Sequence, residues 1–225
     1  MNKNVALVIY SRIFLGFAYG YMNVLVSLYL YFLGYSLLFV GLIIGIGTVV
    51  NALLALFFGM LADHYGRKTI LAMLFMAFGA VSALFLVVRN PYILSILAGI
   101  GGFTGSGGGP IGSGGPFGSI QTALISEVSE PERLSRILST ASIAGMLANM
   151  AGSFIIYPAE GVHFFIYDLF YASAVLSIFP VILTFFVKDM NVRSKNFLPR
   201  ISFRNIIKLS LPAIPSGLGG GFVTP

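Results

Sequence analysis

The sequence predicts an all-α membrane protein, a bundle of six transmembrane helices followed by the start of a seventh. Three observations carry that expectation. Hydrophobic residues make up 57% of the chain and charged residues 9%, against about 25% charged in soluble domains. Six successive apolar stretches reach or exceed the ~20 residues needed to cross a bilayer: 5–31, 37–62, 69–88, 92–126, 137–158 and 164–187. The cationic residues sort by side: a six-span path places Lys3, Arg67, Lys68, Arg133, Arg136, Lys188, Arg193, Lys195, Arg200, Arg204 and Lys208 together, leaves Arg89 opposite, and keeps Arg12 inside the first span. Because Lys and Arg accumulate in cytoplasmic loops, the N-terminus is expected in the cytoplasm of a cell whose plasma membrane holds the protein.

The first span is long for a signal-peptide core and lacks an early cleavage pattern, so it is read as retained. At 100° per residue, Arg12, Gly16, Tyr19, Gly20, Asn23 and Ser27 share one face. A polar stripe in hydrocarbon must meet water, a ligand or another helix, so Arg12, Tyr19 and Asn23 are candidate cavity-lining residues. A polar packing seam is the alternative. The second span places Gly41, Gly45, Thr48, Ala52, Ala55 and Gly59 on one face, and such small residues permit close helix approach.

A turn joins it to the third span through Gly59-Met60-Leu61-Ala62-Asp63-His64-Tyr65-Gly66-Arg67-Lys68. Gly66 allows the tight reversal, while Asp63 can pair with Arg67 or cap a helix N-terminus. The fourth stretch contains GGFTGSGGGPIGSGGPFG over residues 101–118. Interior Gly costs roughly 1 kcal/mol and Pro about 3, and a continuous 92–126 helix would be about 52 Å long against a ~30 Å core. The span is expected to be broken or locally unwound, a frequent mark of a transporter's binding site; a long outer turn with close packing is the alternative. Gln121 on this span is a further candidate cavity residue, as is Asn149 on the fifth, whose face also carries Ser139, Ser142, Gly145 and Ser153.

The decapeptide closely resembles the G-x-L-A-D-x-x-G-R-K signature between the second and third spans of the major facilitator superfamily of secondary transporters. By that resemblance the fold is the superfamily's N-terminal six-helix half, spans one to three and four to six being paired three-helix repeats. Asp63 and Arg67 would form the charge relay that holds the cytoplasmic side shut, with Gly59, Gly66 and Lys68 completing the motif. His64 departs from the usual basic residue, which would leave part of the relay pH-dependent or missing. The acidic turn Glu127-Val128-Ser129-Glu130-Pro131-Glu132-Arg133 resembles the family's loop between spans four and five, making Glu127 and Arg133 candidate partners of Arg67 and Asp63. The second-span glycine face would await a helix of the missing C-terminal half. The fifth span has no Gly-Pro pair of the kind typical of the family's proton-coupled drug antiporters.

Residues 1–187 thus form a membrane domain, 188–204 a basic cytoplasmic linker and 205–225 the start of a seventh span cut short, as in a piece of a longer protein. The implied activity is transport of a small-molecule substrate by alternating access; the competing reading is a half-sized membrane scaffold without transport. The net charge of +6 is scattered over turns with no soluble domain to present it, so anionic lipid headgroups rather than nucleic acid are the expected counter-charge. Without Cys and with only two His, no metal, cofactor or nucleophile constellation supports an enzyme. Acidic residues lie near the ends of the six spans, so a coupling carboxylate would sit in the absent half, or transport is not proton-driven, or Arg12 meets an anionic substrate.

Overall fold

The computed structural model describes residues 3–103, 115–156 and 162–188. Among them there is no strand: the chain runs through α1 (Lys3–Phe32), α2 (Leu37–Tyr65), α3 (Arg67–Val87), α4 (Pro91–Gly101), α5 (Gly115–Val128), α6 (Leu134–Ser153), α7 (Val162–Leu176) and α8 (Ile178–Phe186). The linker beyond residue 188 and the seventh span lie outside the described residues. Among the described residues, five segments are long and apolar enough to cross a membrane: α1, α2, α3, Pro131–Ile156 and Phe165–Phe186.

Local chemistry sets the boundaries. The turn between α1 and α2 reverses at Gly34, φ 90°, and Ser36 Oγ then accepts the Phe39 N–H at 3.4 Å to start α2. The turn between α3 and α4 uses Asn90, whose Oδ1 accepts the Tyr92 N–H at 3.0 Å, with Pro91 at the first helical position. The sixth span, read from sequence as one run, is interrupted at Ser177 between α7 and α8. Pro180 has no N–H for the turn before it, and the Val181 N–H reaches Ser177 O at a long 3.4 Å.

The fourth span is likewise two helices. Among the described residues its helices are α4 and α5, and residues 104–114, which hold most of the glycine-rich run, lie outside the described set. At eleven residues, α4 is about 16 Å long, half the hydrocarbon thickness.

Packing is uneven. The longest helix interface joins α1 to α6, the next joins α2 to α4, and α3 packs on α7, α8, α4 and α5. In the most apolar windows of α1 and α3, 61% of residues are buried, against 22% for α2 and for the α6 segment, so the latter two keep faces this bundle does not cover. The core centres on aromatic rings: Phe75, Phe78, Phe85, Phe103, Phe117 and Phe170 are fully buried with Tyr19 and Tyr21. Tyr21 is placed by the Ser173 hydroxyl, 2.8 Å away on α7.

Candidate functional site

The site grows from one tight turn, between α2 and α3. Helix α2 ends when the Gly66 N–H closes on Ala62 O at 3.0 Å, and Gly66 then takes φ 103°, a backbone shape that side-chain-bearing residues rarely adopt. Its position is otherwise open, with no atom within 4 Å of where a Cβ would stand, so conformation rather than space demands glycine. The reversal starts α3 immediately at Arg67, one helical turn from Asp63. Arg67 Nη2 and Nε approach Asp63 Oδ1 at 3.1 and 3.3 Å.

The same guanidinium reaches across to α5. Arg67 Nη1 donates to Ala123 O at 3.0 Å and lies 3.5 Å from Glu127 Oε2. Its side chain is 24% exposed and Glu127's 9%, against 57% for Asp63. The Glu127 contact is therefore the better shielded half of the pair and the less weakened by solvent. Lys68 turns another way: its Nζ donates to Phe185 O at 2.9 Å, a carbonyl in the last turn of α8, where cations are favoured. The Lys188 N–H donates to Asn4 Oδ1 at 3.3 Å, so the end of the sixth span is held to both the third and the first.

Arg133, expected opposite Asp63, stands elsewhere. Its Nε is 3.6 Å from Glu130 Oε2 in an exposed pair within the turn between α5 and α6, because the 3₁₀ turn Pro131–Arg133 keeps it beside its own loop. Gly59 has nothing within 4 Å of a notional Cβ, and the same holds for Gly41 and Gly45. The glycine face of α2 thus has no helix against it among the described residues.

The polar stripe of α1 divides. Gly16 and Gly20 belong to a packing seam: a Cβ on Gly16 would sit 2.8 Å from Gly145 O, and one on Gly20 would collide with the Asn149 carbonyl. Ser153 Oγ closes that seam by donating to Gly20 O at 3.0 Å. Asn149, one of the candidate cavity residues, is half-buried in α6 with its backbone in this contact. Tyr19 is buried in the aromatic cluster, and its hydroxyl donates to Gly101 O at 2.6 Å. Arg12 and Gln121 have no exposed surface and lie on α1 and α5, which pack together. Asn23 is half-buried in the C-terminal half of α1, and its Oδ1 has no hydrogen-bond partner among the described residues.

Sequence reasoning missed Asn51. It is buried near the middle of α2, and its Nδ2 donates to Gly99 O at 3.0 Å. The available signal was a lone amide inside a very apolar run, since such residues pair across helices in hydrocarbon.

The chain is similar over 180 residues, at 28% identity, to an uncharacterized transporter of Buchnera aphidicola subsp. Schizaphis graminum (strain Sg). The alignment takes in 79% of this chain and 43% of that protein, so the chain spans less than half the length of the relative it matches. No protein-family model matches the chain, and no solved structure matches it. The apolar helices and this similarity together describe a multi-pass helical membrane protein related to a transporter.

Proposed function

We propose that this chain is the N-terminal six-helix half of a major facilitator superfamily permease, which moves a small solute across the plasma membrane by rocking against a second half. The observation that carries the reading is the triple attachment of Arg67 to Asp63, Glu127 and Ala123 O. One side chain, placed by the signature turn, ties the inner ends of the second and third spans to that of the fourth. A contact of this kind stabilises one conformation of a two-state machine and must be lost in the other.

Two features support the six-helix arrangement. Taking α4 with α5 as span four and α7 with α8 as span six, the largest contacts are one with five and two with four. Exchanging one with four, two with five and three with six maps these two contacts onto each other, as expected of paired three-helix repeats. In addition, α2 and α6 present apolar faces without neighbours in this bundle, and the relative is more than twice as long as the matched region. Both agree with a second half seated there.

Transport in the full-length protein tests the reading. Solutes are screened for flux in proteoliposomes, and the active solute is then measured with Asp63→Asn, a change that leaves Arg67 bonded to α5. We expect flux to fall about two- to fivefold while the folded yield is kept, the scale of one solvent-exposed ion pair. Undiminished flux would remove the gate role, and the absence of flux for every solute would favour the scaffold.

A further inference from the structure

The inner end of α4 is finished like a designed terminus, although it stops half-way through the expected hydrocarbon. A helix end leaves its last carbonyls without partners, and in lipid each costs several kcal/mol. Here Gly102 adopts φ 73°, its N–H reaches Gly99 O at 3.2 Å, and the Phe103 N–H reaches Ala98 O at 2.9 Å, the paired closure of a Schellman end. Two side chains from other helices supply further donors: Asn51 of α2 to Gly99 O at 3.0 Å and Tyr19 of α1 to Gly101 O at 2.6 Å. A side chain at Gly102 would fall on this cap, 2.5 Å from Tyr19 Oη and 3.2 Å from Asn51 Nδ2. Phe103, fully buried, then locks the exit against Phe78 and Phe85, with ring centroids at 5.3 and 6.1 Å.

The inner half of the span is held by different groups. Helix α5 enters the same aromatic cluster at Phe117, 6.0 Å from Tyr19 and 5.8 Å from Phe75. Its cytoplasmic end is fastened by Arg67, through Ala123 O and Glu127. The tie at the cap is neutral and buried, whereas the tie at the inner surface is ionic and reaches solvent.

We propose that the fourth span works as two independently anchored half-helices, with α4 fixed by the Tyr19–Asn51 cap and α5 acting as the moving element that the Arg67 attachment holds or releases. Tyr19 and Asn51 are then positioning residues, which isolate the outer half from events at the cytoplasmic turn. This builds on the transport reading above but concerns the mechanics of one span, so its test requires no substrate.

Hydrogen exchange followed by mass spectrometry on the full-length protein in lipid nanodiscs separates the halves. Arg67→Lys, which cannot reproduce the forked contact, is expected to speed amide exchange in α5 about tenfold, the equivalent of one lost hydrogen bond, and to leave peptides over 97–103 unchanged. Tyr19→Phe and Asn51→Ser are expected to do the reverse. If Arg67→Lys proves unstable, Glu127→Gln weakens the same tie and is read in the same way. Acceleration of both halves by either class of change, or of neither half by both, overturns the proposal. Loss of transport in Asp63→Asn alongside coupled exchange would leave the permease reading standing and sink this one.

Discussion

Gly102 is the residue whose replacement reports most directly on the break in the fourth span. Alanine there would have to hold φ 73°, a strain of about 1 kcal/mol or more, while its methyl met the Tyr19 hydroxyl at 2.5 Å. We expect Gly102→Ala to lower the thermal unfolding midpoint of the detergent-solubilised protein, at a cost of about 2–4 kcal/mol; an unchanged midpoint would show that the cap is not held as described. Gly66 needs its glycine for φ alone, since space around it is open. Asp63 and Arg67 stand four residues apart across that turn, a spacing the sequence displays. That Arg67 also reaches α5, and Arg133 does not reach Asp63, depends on how separate helices dock.

At the scale of helices, glycines of similar appearance do opposite things. Gly16 and Gly20 allow α1 to lie against α6 with backbone touching backbone, whereas Gly41 and Gly45 of α2 meet nothing. Valine at Gly20 must push the two helices apart, and we expect a loss of about 1–3 kcal/mol or a failure to fold. Valine at Gly45 has room, so its effect on the 225-residue chain should stay within about 0.5 kcal/mol. Thermal unfolding of the two variants side by side checks this, and equal losses would contradict the seam. Both glycine sets show helical spacing, and periodicity reveals that a face is small without revealing which neighbour arrives. The interruption at Ser177 was more legible than the reading of one continuous sixth span allowed, because Pro180 stands inside it.

For the whole molecule, orientation is the claim most open to a direct check. These 225 residues contain no cysteine, so a single thiol introduced among them reports cleanly. A membrane-impermeant maleimide applied to intact cells is expected to label Arg89→Cys in the exposed turn between α3 and α4, and to label Glu132→Cys only after permeabilisation. The opposite pattern would invert the topology and put the Asp63–Arg67–Glu127 cluster outside. Among the described residues, exposed tyrosines lie toward both ends of the bundle, Tyr31, Tyr92 and Tyr167 near the helix ends expected at the outer face and Tyr10 and Tyr65 toward the opposite ends, as amphipathic rings favour both lipid–water boundaries.

The sequence by itself determined the solvent, the number of long apolar runs, the expected orientation and the tight turn at Gly66. Each follows from local quantities: hydrophobic length against bilayer thickness, the cost of moving Lys and Arg through lipid, and the φ freedom of one glycine. It also exposed a fourth span that could not continue unbroken. Only the tertiary structure decided that Tyr19 and Asn51 finish α4, that the Gly16–Gly20 stripe is a seam with α6, and that of the two candidates Glu127, with Ala123 O, meets Arg67 while Arg133 stays in its own turn. A buried hydrogen bond or close backbone contact between helices depends on their relative rotation and depth, which arise when all the apolar faces pack together and which no single stretch of residues records.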